Sequence, residues 1–164
     1  VKEVCINRSE WDHSLENNGE SCLNLRLGFR QIKGLSKNDV DRIIEERGNG
    51  YNDPQDLWHR IRLSPSIIKL LVKANSFHSL NKNRRLLLWD AQAIKKTNSL
   101  ALFEGYSEKE YLPEKSVNLP NMTSGEELIL DYQSLRLSLS THPVKLLRPF
   151  LKKSFIEKYC ASSV

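Results

Sequence analysis

The chain has 164 residues, 39% of them hydrophobic and 27% charged, with a formal net charge of +5. That composition fits one ordinary core or two small ones and excludes a disordered polar chain. No apolar run approaches the roughly 18 residues that span a bilayer and no secretory leader opens the chain, so no membrane partner is expected.

Cys5, Cys22 and Cys160 stand singly, without paired zinc spacing or a disulfide framework. This predicts buried or bland thiols in a reducing cytoplasm. A start at Val1, a single methionine at Met122 and a polar end at Val164 predict a piece of a larger protein. Charge is unevenly placed: residues 33–96 hold 13 Lys or Arg against 7 Asp or Glu, a net +6, and the rest of the chain carries −1. A contiguous basic block of that kind suits a surface facing phosphates, although a solvated helical face has the same composition.

In chain order, Val4 and Ile6 predict a short extended piece, and Asn17-Asn-Gly-Glu a polar turn. Leu23, Leu25, Leu27 and Phe29 alternate with polar residues or glycine, the period of a half-buried strand. The stretch 29–47 then joins an apolar residue, a lysine and a glycine to a capped amphipathic helix. Gly34 permits a tight backbone path, Ser36 caps the first turn with Asp39 three residues on, and Leu35, Val40, Ile43 and Ile44 form the apolar stripe before Gly48. The first N–H groups of such a helix have no partner within it and form an anion site.

Asp53-Pro-Gln-Asp predicts the next helix start, through Leu57, Trp58 and Ile61. Ser64-Pro-Ser predicts another, with Asn75 as a left-handed residue after its end. A fourth helix is expected over residues 82–96, with Arg84 and Arg85 near its start and Trp89, like Trp58, in the core. Residues 97–121, with Gly105 and two prolines, read as a linker carrying the apolar island Leu100, Leu102 and Phe103, either a docking peptide or a strap over the neighbouring helices. Thr123-Ser-Gly-Glu-Glu opens a helix with Leu128, Ile129, Tyr132 and Leu135 at helical spacing, and Thr141-His-Pro breaks the chain before a last basic segment, 145–158.

Two successive units of hairpin followed by helix start, at Lys33-Gly-Leu-Ser and Leu63-Ser-Pro-Ser, predict a mainly α fold. More narrowly, they predict a tandem helix-hairpin-helix bundle with a short N-terminal strand element and a partly extended C-terminal connector. Such hairpins hold phosphates through backbone N–H groups assisted by Lys and Arg, and read no bases. The residues expected to do so are Lys33, Gly34, Leu35, Ser36, Lys37, Arg62, Ser64, Ser66, Lys69, Arg84 and Arg85. Catalysis has little support: His13, His59, His78 and His142 lack metal-ligand spacing, and no phosphate loop, dinucleotide fingerprint or nucleophile elbow occurs. Asp39 with Asp41 and Glu45 with Glu46 read as helix-start acids and a solvated face rather than a two-metal site.

The run Leu25-Arg-Leu-Gly-Phe-Arg-Gln-Ile-Lys-Gly-Leu, then Asp56-Leu-Trp, Arg84-Arg with Leu88-Trp, Leu102-Phe, Leu137-Ser-Leu and Thr141-His-Pro-Val resemble, in order, the C-family bacterial DNA polymerases. The closest likeness is to their error-prone, DnaE-type subfamily (ImuC type). The resemblance implies the end of a fingers region over 1–24, the tandem helix-hairpin-helix domain over 25–96, a linker over 97–121 and a connector toward an OB-fold over 122–164. It implies that hairpins 32–36 and 62–66 grip double-stranded primer-template DNA. The catalytic aspartates and Mg of the parent palm would lie upstream, with no catalytic residue and no cofactor in this segment.

Ser36 stands where the family's hairpin often has a second glycine, and Asn75-Ser-Phe where Gly-Ala-Phe is common. The connector position that carries a sliding-clamp peptide in replicative members reads Ser99-Leu-Ala-Leu-Phe here, without the leading glutamine. The resemblance therefore implies weak clamp binding through Leu102 and Phe103, or recruitment by accessory translesion proteins. The other reading of the residues is a helical module that docks accessory proteins and touches DNA incidentally.

Overall fold

The computed structural model describes residues 1–17, 19, 23–94 and 119–154, with 150–154 as backbone alone. Strands β1 (Ser14–Asn17) and β2 (Leu23–Arg26) pair antiparallel, Ser14 opposite Arg26 and Leu15 opposite Leu25. The leucine alternation does not line a buried face as expected. Leu23 is 64% exposed, whereas Arg26 is 4% exposed and points inward. Its guanidinium is held by both oxygens of Glu16 and by the Glu3 carbonyl at 3.1 Å.

Leu27 and Phe29 are buried, which a strand continuing past Arg26 would not allow with Leu25 outside. The chain turns at Gly28, where a Cβ would stand 2.3 Å from the Asp12 carbonyl oxygen, and enters a 3-10 turn at Phe29–Gln31. Val4 and Ile6, expected in a region ending at residue 24, lie in the same core as residues 27–94, and the Ile6 N–H donates to the Ser76 carbonyl at 2.8 Å.

Four helices follow, and three of them start on a side-chain cap. In α1 (Lys37–Glu45) the Ser36 hydroxyl accepts from the Asp39 N–H. In α2 (Pro54–Ile61) the Asp53 carboxylate accepts from Asp56 N–H at 2.7 Å, with Pro54 supplying a preset φ. Helix α3 (Pro65–Lys73) starts on Pro65 without a side-chain cap, and Asn75 follows its end at φ 56, as the sequence predicts.

Helix α4 (Arg84–Ala93) starts two residues later than expected, on the Asn83 cap. It buries Arg84, Leu87 and Ala91, so Trp89, two residues from each of the last two, faces away and is 49% exposed rather than a core residue. Trp58 is half-buried against the core.

Helix α3 touches α2, α4 and a fifth helix, α5 (Ser124–Leu135), and its Ile68 and Leu71 are fully buried. Each such side chain contributes roughly 1.5–3 kcal/mol by leaving water. A capping box of Thr123 and Glu126 starts α5. The apolar spacing expected along α5 divides: Leu128 and Leu135 are buried, Ile129 and Tyr132 are exposed, and the buried face is completed by Asp131 and Ser134. Helix α6 (Pro143–Ser154) starts at the expected break and contains Pro149. The linker island Leu102 and Phe103 lies outside the described residues, as do Cys22 and Cys160. Cys5 is a buried free thiol.

Candidate nucleic-acid interface

The first hairpin is built by burying its flanks. Ile32 and Leu35 sink into the core, so Lys33 and Gly34 between them are lifted into solvent with Ser36 and Lys37. The turn is closed by a long Leu35 N–H to Ile32 carbonyl bond of 3.4 Å, and Gly34 sits at φ 86. A side chain there meets ordinary contact with Leu70 at 3.5 Å, so the glycine is required by backbone conformation and not by space.

In the first turn of α1, the Asp39 N–H is taken by the Ser36 hydroxyl, which in turn donates to the Asp39 carboxylate at 2.6 Å. The N–H groups of Lys37 and Asn38 have no earlier acceptor in the helix, and the exposed Lys33 and Lys37 flank this helix start along the chain. Neither lysine makes an ion pair or side-chain hydrogen bond among the described residues. Two open amides, two cations and the positive end of a helix can hold one phosphate group.

The second hairpin repeats the plan one residue shorter. Buried Ile61, exposed Arg62, buried Leu63 and Ser64 correspond to Ile32, Lys33, Leu35 and Ser36, without the glycine. The left-handed turn therefore falls on Arg62, at φ 56, and its guanidinium lies over the Trp58 ring at 4.2 Å. Its anion site is poorer for a covalent reason. Pro65 has no N–H, and the Ile67 and Ile68 N–H groups return to the Ser64 carbonyl at 2.9 and 3.3 Å. Ser66 is left as the donor, while its hydroxyl is paired with that of Ser64.

Lys69, on α3 next to the Leu70 that faces Gly34, makes no ion pair among the described residues. Arg42 of α1 donates to the Ile61 carbonyl at 2.5 Å, tying the two hairpins into one surface.

Arg84 and Arg85 are not on that surface. Arg84 is 7% exposed and donates to the Asp131 carboxylate at 2.8 Å and to the Lys73 carbonyl. Arg85 forks onto Glu126 at 2.7 and 2.8 Å. The Glu126 carboxyl is held below its usual range first by the Thr123 N–H and hydroxyl and only then by Arg85. Asn38 was missed from sequence because its contribution is a backbone amide that carries no side-chain signal. Among the described residues no three His, Cys, Asp or Glu come together as a metal site, and no helix is long and apolar enough to cross a membrane.

The profile of the helix-hairpin-helix motif matches residues 1–87, more than half of the chain. The chain belongs to the helix-hairpin-helix family. This helix-hairpin-helix chain is also similar to curated bacterial proteins named error-prone DNA polymerase. It is 44% identical to that of Ruegeria pomeroyi over 149 residues and 39% identical to that of Brucella abortus over 148, covering 91% and 90% of this chain. It is 37% identical to error-prone DNA polymerase 1 of Rhizobium meliloti, over 88% of this chain. The chain spans only 14 to 15% of the length of these relatives.

Proposed function

We propose that this chain is the duplex-holding segment of an error-prone DNA polymerase, itself without catalytic residues. Its parent would extend primers across damaged template in the bacterial cytoplasm, by nucleotidyl transfer at a Mg-bearing palm elsewhere in the polypeptide. The observation that carries the reading is the first hairpin, where the exposed Lys33, Gly34, Ser36 and Lys37 lead into a helix start whose first amides have no partner within the helix. Likeness to error-prone polymerases over nine-tenths of the chain supplies the enzyme to which such a grip belongs.

The second hairpin contributes a secondary contact through Arg62, Ser66 and Lys69, weakened by Pro65. Because the contacts are to phosphates, the segment holds duplexes of any sequence. Contact with a sliding clamp or an accessory translesion protein belongs to Leu102 and Phe103.

Salt dependence tests this reading. Affinity for a short duplex should fall linearly with the logarithm of salt concentration, as counterion release requires. Lys33→Ala with Lys37→Ala should lower affinity alike for unrelated sequences and flatten the slope by roughly one to two. Unchanged affinity in a folded double variant removes the hairpin from the interface, and a slope near zero for the parent chain favours a protein-docking module instead.

A further inference from the structure

We propose that Arg84 and Asp131 are positioning residues for the first hairpin, acting through the last turn of α5, so that α5 is a working part of the phosphate grip. This rests on the duplex-binding reading above. The final carbonyls of a helix lack partners within it, and two of those of α5 are filled from the first hairpin and the 3-10 turn that leads into it. The Ser134 carbonyl accepts the Lys33 N–H at 2.9 Å, and the Leu135 carbonyl accepts the Gln31 side-chain amide at 2.8 Å. Pinning the Lys33 N–H inward fixes the backbone of its residue in the turn, from which the exposed side chain leaves on the solvent side just before α1 starts.

What fixes α5 is one turn back. Asp131 accepts from Arg84 at 2.8 Å with one oxygen and from the Ser138 hydroxyl at 2.8 Å with the other. Arg84 donates to the Lys73 carbonyl at the end of α3, and the Ser134 hydroxyl, whose short bond at 2.7 Å is to the Leu130 carbonyl of its own helix, lies 3.2 Å from the same oxygen. The pair thus joins α3, α4 and α5 at one point. Its Arg84 Nε is buried with no hydrogen-bond partner, so the pair is not an optimised stabiliser. A buried ion pair is weak evidence of stability and better evidence of a specified geometry. Here that geometry is the seat of α5 against the hairpin.

The test uses the full 164-residue chain carrying Arg84→Gln with Asp131→Asn, which leaves no unpaired buried charge. Gln31→Leu, which cuts the tie to Leu135 without touching the pair, is the second variant, and Ile129→Ser on the exposed face of α5 is the control. Site-resolved amide exchange and duplex affinity are both measured. The expected result is Lys33 amide exchange faster by about tenfold and affinity weaker by a similar factor, with Leu71 exchange unchanged, in either of the first two variants but not the control. Unaltered Lys33 exchange, or acceleration in step with Leu71, overturns the positioning role. A freed Lys33 amide with unaltered duplex affinity overturns the positioning role alone, the duplex reading being decided by the Lys33→Ala with Lys37→Ala variant. If the paired variant does not fold, Gln31→Leu alone decides the outcome.

Discussion

At Gly34 the backbone adopts φ 86, a conformation that side chains with a Cβ, and β-branched ones above all, rarely accept. Gly34→Val should therefore destabilise the fold by roughly 1–3 kcal/mol, the strain being charged to the native state. The contact at 3.5 Å with Leu70 leaves room for a Cβ, so steric crowding adds little. Gly34→Asn, whose side chain tolerates the left-handed region, should recover most of the loss. Thermal melting of the two variants checks both statements; equal midpoints for valine and the parent would show that the turn relaxes without cost. Arg62 already occupies the matching left-handed position in the second hairpin, which shows what a non-glycine residue does there: it stacks its guanidinium on Trp58 and is less free to meet a phosphate.

Among the elements, the β1–β2 hairpin depends on charge. Glu16 bridges Arg26 and Lys2, and the hydrogen bonds from Arg26 first, then Lys2, hold its carboxyl down at about 2. A carboxyl depressed in the folded state stabilises that state above its unfolded value, near 4.5, and loses the contribution as pH falls toward about 2. Hairpin stability should accordingly decline through that acid window, by about 1 kcal/mol or less because the pair is partly solvated. Glu16→Gln should flatten the decline. Amide exchange across residues 23–26 at pH 5 and pH 3 measures it, and an equally steep decline in the variant assigns the loss to other carboxyls. Helix α3 depends instead on apolar burial. Leu71 is fully buried in the helix that touches α2, α4 and α5, so Leu71→Ala should cost roughly 2–5 kcal/mol and lower the denaturation midpoint. A loss under about 1 kcal/mol would mean that the helix is not the centre of the core.

For the whole molecule, the proposed function puts grip on DNA and recruitment to a partner on different parts of the chain, the first on residues 32–69 and the second on the apolar island Leu100, Leu102 and Phe103. A clamp peptide without its leading glutamine lacks a hydrogen-bonding anchor worth on the order of 1 kcal/mol. Ser99→Gln should consequently tighten binding to the cognate clamp, and titration of both versions reads the difference. Strong binding by the natural sequence, or no gain with glutamine, would assign Leu102 and Phe103 to another role.

The local signals were legible because each acts within one turn. Ser36 with Asp39, Asp53 with Asp56, Thr123 with Glu126 and the left-handed Asn75 all depend on residues a few positions apart, and every one is found where the sequence puts it. The two hairpins were legible for the same reason, since a buried–exposed–buried pattern ending at a helix start is a short-range fact. Orientation was not. Arg84 reads as a basic residue near a helix start, yet its partner Asp131 lies 47 positions away. Trp89 reads as core and faces water, while Leu23 and Leu25 alternate like a buried face and lie outside it. The sequence by itself determined the capped helix starts at Ser36, Asp53 and Thr123 and the left-handed turn at Asn75, because capping and φ preferences are local. Only the tertiary structure decided which basic side chains remain available, because a guanidinium is removed from a surface by whatever carboxylate or carbonyl the packing of distant helices brings to it.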